Sequence, residues 1–133
     1  MITTERLSSL ESMLAGDHHR LDRALQAIVT RAYGGDFQQL ECEWSAFQDG
    51  LLSHLEAEEK HLIPALARDR PVEAQGLLDD HARIRVQLLQ LGFDLDLHCL
   101  RAETVESFVD ALRTHALREE NIFYPWVDRR LSG

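Results

Sequence analysis

Six polar residues stand where the chain should be apolar. His18, His54, Glu58, His81, His115 and Glu119 fall on helical stripes otherwise made of leucine, isoleucine, phenylalanine and tryptophan. Burying imidazoles or carboxylates in such company is costly unless each polar atom is hydrogen-bonded or bound to a cation. Two of these histidines open an HxxxE, His54 with Glu58 and His115 with Glu119. A four-residue step puts both side chains on one helix face, a turn apart. A single HxxxE is weak evidence in a chain with seven histidines. Here both copies lie on an apolar stripe, and each follows a phenylalanine (Phe47, Phe108) and precedes a proline (Pro64, Pro125) at matching offsets. Four imidazoles and two carboxylates are a ligand set for two transition-metal ions. Imidazole suits iron, zinc or copper, and a carboxylate can bridge two cations.

The elements that must carry these groups are helices. One stripe runs Leu7, Leu10, Leu14, His18, Leu21, Leu25, Ile28, and a second runs Leu40, Trp44, Phe47, Leu51, His54, Glu58 and then His61 or Leu62. A third runs Leu77, His81, Ile84, Leu88, Leu91, and a fourth Val105, Phe108, Leu112, His115, Glu119, Ile122, Trp126. Steps of three and four residues are the period of a helix packed on one face. Gly34-Gly35-Asp36 ends the first helix, with Asp36 placed to cap the second. Arg68 to Pro71 separates the second from the third, Pro71 suiting a first helical turn. Gly92 to Leu100 is expected to join the third to the fourth. Gly16, inside the first stripe, reads either as a weak point or as the edge of a short N-terminal arm.

Short connections imply an all-α, antiparallel up-down four-helix bundle in a single domain over residues 1–133. In such a bundle, equal distances from a turn mean equal heights. His18 stands 16 residues before Gly34 and His54 19 after Gly35, while Glu58 stands 12 before Arg70 and His81 11 after it. The six residues should meet in one layer. The chain also repeats: DHHRLD matches DHARIR, and HLEAEEKHLIP matches HALREENIFYP. The halves read as two copies of one helical hairpin, related by a pseudo-twofold.

With these segments in order, the chain resembles the hemerythrin superfamily, specifically the HHE cation-binding domain, over roughly residues 10 to 130. The resemblance implies a non-haem centre of two iron ions, bridged by an oxo or hydroxo group. It implies Glu58 and Glu119 as bridging carboxylates, His18 and His54 on one iron, and His81 and His115 on the other. The oxygen carriers of the superfamily place a further histidine four residues along the third helix; here Leu77 and Arg85 flank His81 at that spacing. Their second carboxylate is an aspartate five residues after its histidine, whereas this chain repeats HxxxE. Fewer ligands leave more open coordination, which favours sensing, storage or scavenging of oxygen, nitric oxide or peroxide over reversible carriage. Turnover of peroxide or nitric oxide is the enzymatic alternative, and an iron donor or iron-responsive interaction module is a third.

Composition sets the remaining bounds. The formal charge of −9 argues against a nucleic-acid or anionic-membrane binder. No run reaches a membrane span and the first residues lack a signal-peptide pattern, so the expected compartment is the cytoplasm, with any reductase a separate protein. Oligomeric state is open. Cys42 and Cys99 are expected to be packing residues. His19 and His98 are expected at the surface, and Asp22 in solvent. Glu59 and Glu120 are expected outside or near the rim. His61 is read as structural, with a fifth ligand or a gate as the alternative. Asp17 and Asp80 can cap, orient a ring, or stand as solvated charges. Trp44, Phe47 and Phe108 are expected in the core, and Tyr124 and Trp126 at the closure of the bundle end.

Overall fold

The computed structural model describes the backbone of residues 4–132 and the side chains of 16–122, 125, 126 and 129. The expected core positions Leu7, Leu10, Leu14 and Tyr124 lie outside the described side chains. The fold is all-helical: α1 (Thr4–Gly34), α2 (Phe37–His61), α3 (Ile63–Asp69), α4 (Pro71–Asp96) and α5 (Ala102–Ser132). Helix α1 packs on α2 and α5, and α4 packs on α2, α3 and α5. Among the described residues no helix is long and apolar enough to cross a membrane.

The first junction follows the expected chemistry. Gly35 takes φ 73°, a left-handed conformation natural to glycine, and its N–H donates to the Arg31 carbonyl. The Asp36 carboxylate then accepts from the Gln39 N–H and caps α2. Gly16 is plain helix interior within α1.

Two boundaries differ from expectation. The second helix ends at His61, not Arg68, and a short α3 follows. Pro64 lacks the N–H that would continue the ladder, and its ring crowds the carbonyl four residues back. The chain bends at Leu62, which still donates to Glu58 and accepts from Leu66. The third long helix runs past Gly92 to Asp96. It stops through His98, at φ 56°, with His98 N–H bonded to Leu95 and Cys99 N–H to Asp94. That pair of bonds is a Schellman cap, with histidine where glycine is usual.

The cysteines also differ from expectation, because both are exposed. Cys42 lies two residues from Leu40, about 200° round the helix from the buried stripe, and Cys99 sits in the loop before α5.

Among the described residues two apolar clusters form the core. The larger holds Leu21, Leu25, Ile28, Leu40, Trp44, Phe47, Leu51, Ile84, Leu88, Val105 and Phe108, among others. The smaller holds Leu62, Ile63, Leu66, Ala74, Leu77 and Trp126. Along α2, α4 and α5 the polar layer falls between them: His54 and Glu58 lie between Leu51 and Leu62, His81 between Leu77 and Ile84, and His115 and Glu119 between Phe108 and Trp126. Each buried leucine-sized side chain contributes roughly 1.5–3 kcal/mol, so rigid apolar packing holds the layer from both sides.

Candidate metal centre

The six polar residues come together. His54, Glu58, His81, His115 and Glu119 are buried, and His18 is half-buried with 15% of its side chain exposed. They form two groups that share both carboxylates. His18, His54, Glu58 and Glu119 each offer one ligand atom within 4.8 Å of the others, and so do His81, His115, Glu58 and Glu119. Glu58 lies 3.3 Å from His54 Nε2 and 3.0 Å from His81 Nε2. Glu119 lies 3.1 Å from His115 Nε2 and 3.4 Å from His18 Nε2. The rings pair, with centroids 4.8 Å apart for His18 and His54 and 5.1 Å for His81 and His115.

Three of the four rings are gripped from behind. His54 Nδ1 donates to Asp17 at 3.3 Å, His81 Nδ1 to Glu59 at 2.7 Å, and His115 Nδ1 to Asp80 at 2.9 Å. A carboxylate opposite Nδ1 keeps the proton there and turns the Nε2 lone pair inward. Behind His18 stands Glu120, 3.7 Å away. Arginines hold the outer carboxylates in turn: Arg20 on Asp17, Arg85 in a fork on Glu59, and both Arg83 and Arg118 on Asp80.

The inward atoms lack such partners. Nε2 of all four histidines, both Glu58 oxygens and Glu119 Oε2 are buried without a hydrogen bond of good geometry, although ionic distances are short. Burying unsatisfied donors and acceptors in one layer is costly, and cations would satisfy all of them. The donor set, four imidazoles and two carboxylates with no thiolate, fits two divalent metals of the iron or zinc type.

Burial and the facing Glu119 carboxylate push Glu58 up. For Glu119 burial is outweighed by the facing Glu58 and by the close His115 and His18 imidazoles, which hold it well below the usual carboxylate range. Burial and the facing charge thus favour the neutral form of Glu58, and its neighbours favour the ionised form of Glu119. Burial alone would lower His54 and His115; the close, charged Glu58 raises His54, and Glu119, with Asp80, lifts His115 to about 9. Burial also opposes ionisation of the outer acids, but Arg20 on Asp17, Arg85 on Glu59 and His115 with the arginines on Asp80 prevail and lower all three.

An apolar cavity of about 70 Å³ opens beside the first group. Leu21, Leu25, Leu51, Leu55, Leu112 and Ala116 line it, with His18, His54, His115 and Glu119 in its wall. Asp22 and Arg113, joined by a two-point ion pair at 2.7 and 3.2 Å, border it on the exposed side.

Some sequence expectations hold and others change. Asp17 and Asp80 orient rings, but each reaches across to the next helix of its pair, not to the histidine beside it in sequence. Glu59 is more than a rim residue, since it holds His81. Asp22 is half-buried and paired. Leu62, not His61, continues the buried stripe, and His61 belongs to neither group. Neither Leu77, in the core, nor Arg85, bound to Glu59, offers a further ligand beside His81. His19 and His98 are exposed, His98 stacking on Phe37. Trp126 is buried and donates to Asp69. The outer shell was hidden in the sequence because its contacts join different helices; its only trace was an acid at the same position of each repeat.

No curated protein and no solved structure matches the chain. The family model of the hemerythrin HHE cation binding domain matches residues 9–127. That match spans all six residues of the layer and most of the chain, and the chain belongs to this family of metal-binding domains.

Proposed function

We propose that the protein holds two iron ions, one between His18 and His54 and one between His81 and His115, with Glu58 and Glu119 reaching both. It binds oxygen, nitric oxide or peroxide beside them, in sensing, storage or scavenging. The observation that carries this reading is the pair of groups sharing two buried carboxylates, with inward nitrogens that have no hydrogen bond of good geometry. Ferrous iron, when bound, supplies electrons to such small ligands; a separate reductase restores them.

The chain's own residues do the rest. Asp17, Glu59 and Asp80 keep protons on Nδ1 and aim Nε2 inward. The leucines around the cavity exclude water and leave space for a ligand of two or three atoms. Pockets for drug-sized metabolites run to roughly 300–1,000 Å³, so this space does not suit a larger organic substrate. In this reading the helices form an antiparallel up-down four-helix bundle of two related hairpins. Asp17 reaching His54 and Asp80 reaching His115 are the same contact made once in each half.

Elemental analysis of protein purified without added metal, with visible spectra before and after dithionite and air, tests the proposal. Two irons per chain, with an absorption that bleaches and returns, is the expected result. Absence of metal, or zinc with no spectrum, overturns it. Catalytic consumption of added peroxide moves the protein to the enzyme class, and loosely held iron with a metal-dependent partner makes it an iron donor.

A further inference from the structure

The outer face of α4 carries an apolar stripe that the metal centre does not use. Leu78, Ala82, Val86, Leu89, Phe93 and Leu97 follow at steps of four, four, three, four and four residues. At about 100° per residue they occupy roughly a third of the helix circumference. All six are exposed, Val86 at 68%, Leu89 at 59%, Phe93 at 55% and Leu97 at 74%. The core face of the same helix is elsewhere, at Leu77, His81, Ile84, Leu88, Leu91 and Leu95. A helix needed only to present His81 inward would be polar on its outside. The stripe instead exposes on the order of 500 Å² of apolar surface, near the upper end for a monomer.

We propose that this stripe is a homodimer interface, in which the α4 helices of two copies pack antiparallel about a twofold axis passing between Gln87 and Leu88. The stripe is a mirror image of itself about that point. Leu78 and Leu97 are equally distant from it, as are Ala82 and Phe93, and Val86 and Leu89. In the antiparallel pair each residue meets its mirror mate on the second copy. The smallest side chain, Ala82, then faces the largest, Phe93, so the surfaces interdigitate as facing helices require. A foreign helix would place no such symmetry condition on the sequence.

Charge agrees with this register. Arg83, with 68% of its side chain exposed, and Asp94 flank the stripe on the same edge, one in each half of the helix. In this register Arg83 of each copy lies opposite Gly92 of the other, and Asp94 follows two residues on, about 3 Å along the axis and within reach of the long arginine side chain, for two interchain ion pairs. Two copies together bury about 1,000 Å² of apolar surface, the lower bound for a specific interface, to which the flanking polar groups add. The interface also adjoins the metal layer, because Arg83 holds Asp80, which holds His115.

Sedimentation equilibrium of the full chain across micromolar concentrations tests the proposal. The expected species is a dimer that Val86→Glu or Leu89→Glu converts to monomer with an unchanged far-ultraviolet circular dichroism spectrum. Leu117→Glu, at an exposed position on α5, is expected to stay dimeric. Arg83→Asp should weaken association about tenfold, as loss of rim ion pairs does, and adding Asp94→Arg should restore it. Register is read separately in a Cys42→Ser, Cys99→Ser background: Ala82→Cys and Phe93→Cys chains should cross-link when mixed, and neither alone. A monomeric wild-type chain, a dimer indifferent to the stripe substitutions, or cross-linking of either cysteine variant alone overturns the proposal. So does a stripe that captures a different protein while the chain itself stays monomeric.

Discussion

Asp80 and Asp17 hold equivalent rings under unequal conditions, and the inequality sets a magnitude. Asp80 accepts from His115 Nδ1 at 2.9 Å with 9% of its side chain exposed, and Arg118 completes its coordination at 2.7 Å. Asp17 accepts from His54 Nδ1 at 3.3 Å with 23% of its side chain exposed. Substitution to asparagine keeps the shape and removes the charge that makes the imidazole a stronger donor. Loss of such an outer partner lowers metal affinity ~10–100-fold, equivalent to about 1.4–2.8 kcal/mol. The shorter, drier contact belongs at the top of that range; the longer, wetter one belongs at the bottom, where water can replace the lost acceptor. Asp80→Asn should therefore bind ferrous iron about tenfold more weakly than Asp17→Asn. Anaerobic titration against a competing chelator measures this, with circular dichroism as the check on folding. Equal affinities in the two variants, or a reversed order, would refute the link between ring support and donor strength.

Other outcomes follow from the same structure. Gly76→Ala adds a methyl to open space, and at Gly92 a Cβ would sit 3.6 Å from Trp44 Nε1, an ordinary contact; each should stabilise α4 by roughly 0.5–1 kcal/mol in urea unfolding. Asp36→Ala removes the cap on α2 and should cost about 0.5–2 kcal/mol by the same assay. Both thiols are exposed, so Cys42 and Cys99 should react with a thiol reagent in the native protein at the rate of free cysteine; slow reaction without denaturant would contradict their placement. Chelation should lower Tm, because the cation binds only the folded chain, and His54→Ala should reduce that difference.

The layer was legible because helical periodicity and distance from a turn are both properties of one strand of sequence. Leucine spacing placed His54 and Glu58 on the same face as Trp44 and Phe47, and counting from Gly35 and Arg70 gave common heights. The outer acids were not legible in this way. Asp17 stands next to His18 in sequence but bonds His54, since a helical step turns neighbours about 100° apart and the nearest ring belongs to α2. Proline was ambiguous for a related reason. Pro64 divides α2 from α3, while Pro125 at the matching position lies inside α5; tertiary packing, not the residue, decides whether the bend becomes a break. Gly92 looked like a stop, yet α4 passes through it and ends on a left-handed histidine that no residue-type rule would pick. For Cys42 the evidence was present, because its position opposite Leu40 already put it outside; the usual burial of cysteine pointed the wrong way.

The arginine fringe around the layer also bears on entropy. Arg20, Arg85, Arg83 and Arg118 keep Asp17, Glu59 and Asp80 ionised, and those acids fix three imidazoles in rotation with their Nε2 atoms turned to the shared carboxylates. Many small metal domains must fold as they bind, so the ordering of the chain is charged against affinity. Here packed helices and paired surface charges contribute to that ordering. With the rings already aimed, more of a cation's interaction energy is left to appear as binding.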